Sequence, residues 1–148
     1  MGEKLQKWMR IMDIGSTVIF VLAYIAILLL SLIDAPLSAL KLALASATLF
    51  FVLSLMRRLF KKARPYQENE TPGPRKGTDD SFPSRHAYSA FYVASLAFLI
   101  TPAVSYALLA LAVTLSALRV LRGLHYPRDV IAGAFLGVAF ATVSIIIL

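Results

Sequence analysis

The chain holds two histidines, and each stands in a short polar knot at the rim of an apolar segment. His86 lies in Ser81-Phe82-Pro83-Ser84-Arg85-His86. His125 lies in Arg119-Val120-Leu121-Arg122-Gly123-Leu124-His125-Tyr126-Pro127-Arg128-Asp129. A third knot, Arg57-Arg58-Leu59-Phe60-Lys61-Lys62-Ala63-Arg64-Pro65, precedes both. Two imidazoles, several guanidiniums and one carboxylate suffice to cut a phosphate ester with no metal and no cofactor. One ring attacks, the other hands a proton to the departing oxygen, and the guanidiniums hold the charge that spreads over phosphate in the transition state.

The His125 knot carries the most specific chemistry. Pro127 suits a first helical turn, so Asp129 in that turn can reach back to His125 just outside the helix. A carboxylate on one ring nitrogen fixes the tautomer and leaves the other nitrogen free to attack. Arg119, across a turn containing Gly123, can bring its planar fork to phosphate oxygens. The plainer alternative is that Asp129 neutralises Arg119, Arg122 or Arg128 at a helix end. In the second knot Ser84 suits an N-cap, and free N–H groups at that helix start favour an anion. His86 then stands beside the anion as a general acid, although an interfacial histidine behind a polar cap would read the same way. Arg57 and Arg64 are seven positions apart, with Lys61 between them; such juxtamembrane clusters are also ordinary topology or lipid-headgroup signals.

The elements that must position these knots are helices in a bilayer. The 148 residues are 59% hydrophobic, with mean hydropathy +0.75, more apolar surface than a soluble domain of this size can hide. The apolar segments recur to Leu148, so a cleaved signal peptide does not explain them. Residues 14–33 and 36–60 are long enough to span, divided by Asp34-Ala35-Pro36. Residues 84–100, 103–121 and 130–148 complete five expected transmembrane helices; the third and fourth reach spanning length only if motif residues form their last turns. Ser46, Thr48 and Ser54 are expected at helix–helix contacts. Residues 1–12 place Leu5, Trp8, Met9 and Met12 against Lys4, Lys7 and Arg10, the pattern of an interfacial amphipathic helix. Residues 61–83, broken by Pro65, Pro72, Gly73, Pro74, Gly77 and Pro83, read as a loop forming the rim of the site. Counting crossings puts all three knots on one face of a single all-α membrane domain, 1–148. The net charge of +7 points to anionic lipid or substrate; the basic residues crowd helix ends with no aromatic-studded soluble surface, which disfavours nucleic acid. The chain has no cysteine, so neither disulfides nor thiolate metal sites arise.

Together the knots resemble the type 2 phosphatidic acid phosphatase superfamily, whose pattern is Lys-x6-Arg-Pro, Pro-Ser-Gly-His and Ser-Arg-x5-His-x3-Asp. Arg57-x6-Arg64-Pro65, Pro83-Ser84-Arg85-His86 and Arg119-x5-His125-x3-Asp129 match in order and in internal spacing. Three departures stand out: Arg57 replaces lysine, Arg85 replaces glycine, and Leu118 replaces serine. The helix count also falls below the six usual for membrane members, as if one span were truncated and the catalytic core kept. The resemblance implies attack by His125 to give a phosphohistidine, with Asp129 orienting the ring and His86 as general acid. It further implies that Arg57, Arg64, Ser84, Arg119 and the backbone at Arg85 hold the phosphate oxygens. Asp79 and Asp80 read as solvated loop carboxylates rather than metal ligands.

An interfacial site favours a phosphorylated lipid: phosphatidic acid, phosphatidylglycerophosphate, polyprenyl diphosphate or a lipid A phosphate. Arg75, Lys76 and Arg85 lean towards a substrate with more than one anionic group. Two alternatives keep the fold: a lipid phosphotransferase that passes phosphate to another acceptor, and a non-catalytic lipid-binding protein. Sidedness is in conflict. The basic residues crowd the motif face, which the positive-inside rule makes cytoplasmic, whereas the resemblance implies a site on the periplasmic or outer face of the cell (inner) membrane. The outer face is the expectation adopted, because catalytic arginines answer to phosphate and not to topology. The oligomeric state is not legible.

Overall fold

The computed structural model describes residues 3–60, 62–68 and 81–148; Lys61 and most of the expected rim loop, including Arg75, Lys76, Asp79 and Asp80, lie outside them. Among the described residues all regular structure is helical: α1 Glu3–Asp34, α2 Pro36–Phe60, the single turn α3 Pro65–Glu68, α4 Arg85–Leu96 running into a 3-10 turn Ala97–Leu99, α5 Pro102–Leu121, and α6 Pro127–Ile147. Helices α1, α2, α5 and α6 are each long and apolar enough to cross a membrane, and the protein is an all-α membrane bundle. The expected third span is shorter than the rest, with α4 and its 3-10 turn together running from the motif end towards the opposite end.

Local chemistry sets the boundaries. Pro36 has no N–H and disfavours helix in the residue before it, so α1 stops at Asp34 and α2 restarts with proline in its first turn. Thr101 caps α5 by accepting from the Val104 N–H at 3.2 Å, and Pro102 opens that helix. Gly123, at φ 65°, closes α5 as only a left-handed residue can: its N–H bonds Val120 O at 2.9 Å while Leu124 N–H bonds Arg119 O at 3.0 Å, the paired bonds of a Schellman turn.

Residues 1 and 2 of the expected interfacial helix lie outside the described residues; residues 3–12 are continuous with the next segment and form the opening turns of α1. No proline lies between Met12 and Ile14 to interrupt it, and the inward stripe of α1 already begins at Met9 and continues through Asp13, Ser16, Phe20 and Ile27, all buried. At 1.5 Å per residue α1 is about 48 Å long, so its first turns extend past a hydrocarbon layer of about 30 Å. Trp8 and Leu5 remain exposed there.

Helix α4 is the hub. Its Tyr88, Tyr92, Val93 and Leu96 share a core with Phe20 and Ile27 of α1, Leu42 and Leu53 of α2, Leu115 of α5 and Ala141 of α6. The outer faces of α1 and α2 expose Leu22, Leu29, Leu37 and Phe51, which suits lipid rather than water. Against α6 the backbone of α4 comes very close. A Cβ on Gly133 would meet Ser84 O at 2.5 Å, and one on Gly137 would meet Tyr88 O at 2.5 Å. Small residues four apart are how helices approach closely in a membrane. The hydroxyls of Ser46, Tyr92 and Ser144 then chain α2, α4 and α6 together at 2.8 Å each. Of the serines and threonine expected between helices, Ser46 does bridge; Ser54 bonds its own helix at Phe50 O, and Thr48 is exposed.

Candidate active site

The close α4–α6 contact brings two knots together. Ser84 N–H donates to Asp129 O at 2.9 Å, and the Ser84 hydroxyl caps α4 by accepting from Ala87 N–H at 3.4 Å. The start of α4, carrying Arg85 and His86, is thereby fixed to the start of α6, carrying Asp129. Within the α5–α6 connection, Tyr126 N–H donates to Asp129 Oδ2 at 3.0 Å, which holds the carboxylate back towards His125.

His125 is 2% exposed and Asp129 fully buried. The Asp129 Oδ2 lies 3.6 Å from His125 Nδ1, and the Ser81 hydroxyl sits beside both, donating to Asp129 Oδ2 and standing 3.4 Å from the same ring nitrogen. One edge of the imidazole is thus oriented by two oxygens, which leaves Nε2 as the reactive nitrogen. Burial lowers the His125 pKa below its usual 6.5; Asp129 opposes that shift, while Arg64 and Arg119 add to it. A ring so shifted is neutral at pH 7, the form in which an imidazole nitrogen can act as a nucleophile.

His125 and His86 line one cavity of about 830 Å³, and so do Arg57, Arg64, Arg85 and Arg119. His86 lies within electrostatic reach of His125, Arg64, Arg85 and Arg119. All three knots therefore converge. Arg64 Nη1 also donates to Leu124 O at 3.4 Å, tying the first knot to the third. Arg57, buried at 2% exposure, donates through Nη1 to the carbonyls of Ser81 and Pro83; at least part of its fork holds the segment that leads into α4. Ser84 and Asp129 are buried behind the cavity wall, one as a cap and the other as an orienting carboxylate. Beyond the cationic end the cavity continues between α1 and α2 past Phe20, Val21, Tyr24, Ala47 and Phe50, a mainly apolar slot.

Two roles were not read from the sequence: that of Ser81, the first residue of the His86 knot, and that of Asp13. Ser81 is fully buried and stands beside both His125 and Asp129, a role that no spacing rule announces. Asp13 pairs with Arg119 at 2.7 Å from Nε to Oδ1 and through its other oxygen with Arg122 Nη1. A lone carboxylate entering an apolar helix needs a buried partner, and that was the available signal. Its position also bears on the two readings of Asp129. Arg119 and Arg122 share Asp13 and not Asp129, whereas Arg128 Nε pairs with Asp129 Oδ1 at 3.7 Å, so His125, Ser81 and Arg128 all stand beside that carboxylate. Among the described residues no three His, Asp or Glu side chains gather as a metal cradle.

Over its matching stretches the chain is similar to two curated proteins. It is 43% identical over 63 residues to the bacitracin transport permease protein BcrC of Bacillus licheniformis, covering 43% of this chain and 31% of that one. It is 34% identical over 102 residues to the lipid A 1-phosphatase of Rhizobium etli, covering 64% of this chain and 43% of that one. The chain thus spans less than half the length of either relative. A family model described as the PAP2 superfamily matches residues 37–148, a stretch that holds all three knots and the helices that bring them together, and the chain belongs to that superfamily.

Proposed function

We propose that the protein is a phosphatase of phosphorylated lipids that works through a phosphohistidine. One observation carries this reading: both histidines and four motif arginines face a single cavity that continues into an apolar slot between α1 and α2. The phosphate lies among the guanidiniums of Arg64, Arg85 and Arg119, with Arg57 beside them, and the lipid chains follow the slot. His125 Nε2 attacks phosphorus, the P–N bond forms, and the bond to the leaving oxygen breaks as His86, which takes up a proton when the anionic phosphate binds among the arginines, delivers that proton to the leaving oxygen. Asp129 and Ser81 hold the charged His125 ring. His86, now neutral, takes a proton from water; the water oxygen bonds to phosphorus, the P–N bond breaks, and inorganic phosphate leaves. The arginines stabilise the charge spread over the equatorial oxygens in both steps. The chemistry draws on side chains of this chain alone.

The likeness to a lipid A 1-phosphatase and the cationic mouth favour a substrate such as a lipid A phosphate; phosphatidic acid, phosphatidylglycerophosphate and polyprenyl diphosphate present the same group. The site faces the periplasmic or outer side of the cell (inner) membrane in this reading. The test is phosphate release from these four lipids by purified protein, with and without chelator and vanadate, beside His125→Ala. Activity should survive chelation, be blocked by vanadate as a five-coordinate mimic, and vanish in the variant. Phosphate release by His125→Ala at the wild-type rate would sink the proposal.

A further inference from the structure

The structure assigns Asp13, which lies before the stretch shared with the family, the role of a positioning residue for Arg119. The inference rests on the phosphatase reading above and adds to it a component from α1. Asp13 is 6% exposed on a helix otherwise apolar for most of its length, and a buried carboxylate there is costly unless paired. It is paired twice. Oδ1 lies 2.7 Å from Arg119 Nε, and Oδ2 meets Arg122 Nη1. Asp13, Arg119, Arg122 and the nearby Arg10 all border the cavity that holds the histidines.

The choice of atom is what matters. A guanidinium offers one edge through Nε and another through its two terminal nitrogens. Asp13 meets Arg119 at Nε as an ion pair without the alignment of a hydrogen bond, so the terminal nitrogens are the ones left for phosphate, and among the described residues neither makes a hydrogen bond. The backbone of Arg119 is separately locked, since its carbonyl accepts from Leu124 N–H at 3.0 Å in the Gly123 turn. Backbone and side chain are thus both fixed, and the fork reaches the phosphate without having to be ordered during the reaction. A donor displaced by about 1 Å can lose as much as a hundredfold in rate. Arg122, by occupying the second oxygen, stops the carboxylate from rotating towards the phosphate it would repel.

The experiment compares wild type, Asp13→Asn, Asp13→Glu and Asp13→Ala in detergent. It measures kcat and KM for phosphate release from a short-chain phosphatidic acid, inhibition constants for vanadate and inorganic phosphate, and Tm. Asp13→Ala should lower kcat by about 10- to 100-fold with a smaller change in KM. Asp13→Asn should fall between, and Asp13→Glu should recover part of the loss. Vanadate inhibition should weaken in step with kcat/KM while inhibition by phosphate changes less, because only the five-coordinate mimic needs the oriented fork. A purely structural tie between α1 and α5 would lower Tm and leave the vanadate-to-phosphate ratio at its wild-type value, and that result overturns the inference. Wild-type protein that releases no phosphate from any lipid overturns the parent reading; wild-type activity retained by Asp13→Asn overturns this one alone.

Discussion

Replacing Gly133 by alanine tests whether the α4–α6 contact sets the catalytic geometry. The new methyl carbon would lie 2.5 Å from Ser84 O, 3.2 Å from Ala87 Cβ and 3.2 Å from Tyr88 N. Carbon and carbonyl oxygen settle no closer than about 3.3 Å, so the two helices must part locally by roughly 0.8 Å. The obstruction is backbone, which cannot swing aside as a flexible side chain would. Overpacking of this kind costs about 1–3 kcal/mol, offset by about 1 kcal/mol from the better helix propensity of alanine. The net loss of stability is therefore small, about 0–2 kcal/mol. The effect on rate should be larger. Ser84 N–H holds Asp129 O at this same point, so the shift separates His86 from His125, and a displacement near 1 Å can lower the rate by up to about a hundredfold. Gly137→Ala meets an equal clash at Tyr88 O one turn further from the site. It should cost similar stability and less activity. The assay is kcat for phosphate release together with Tm, on both variants. Wild-type kcat in Gly133→Ala, or equal kcat losses in both variants, would refute the argument that this contact positions the histidines.

Other outcomes follow from the same geometry. Asp129→Asn leaves the shape intact but removes the charge that holds the His125 ring; by analogy with other buried carboxylate–histidine pairs, phosphate release should fall by about 10²–10⁴-fold, read as kcat against unchanged Tm. His125 must be neutral to attack, and its pKa lies below the usual 6.5 because the ring is buried. The acid limb of the wild-type kcat/KM profile should therefore fall below pH 6.5; an acid limb centred above pH 6.5 would contradict the buried, neutral ring. Stability has the same sign: the unfolded chain binds this proton more readily, so the contribution is complete above about pH 6.5 and drains away as pH drops towards the lowered native value. Because the chain has no cysteine, a single Lys62→Cys beside the site and a single Asp34→Cys at the opposite end report topology directly. An impermeant thiol reagent on intact cells should label the first and spare the second; the reverse pattern places the site in the cytoplasm.

Much of this protein was legible as one-dimensional pattern. Membrane helices announce themselves because a hydrocarbon solvent demands long uninterrupted apolar runs, and proline marks where they stop. Hence residues 36–60 agree with α2 in full and the five apolar segments correspond to helices. The third segment came out as α4 with a 3-10 turn, and residues 3–12 run on within α1, because periodicity reports which face is apolar and not whether one helix continues into the next. The knots were readable for a related reason: histidine, arginine and aspartate at membrane depth carry a desolvation cost that calls for a function, and their mutual spacing constrains what that function is.

Contacts between distant segments were another matter. The sequence by itself determined the helical membrane class, the three knots and their shared face. Only the tertiary structure decided that Asp13, 106 positions before Arg119, holds that arginine, that Ser81 completes the His125–Asp129 pair, and that Gly133 and Gly137 let α4 and α6 close on each other. The physical reason is that local sequence governs backbone propensity and solvent preference over a few residues. Which buried charge meets which partner is settled by helix packing, where side chains far apart along the chain must satisfy one another or remain unpaired in a medium that offers no water.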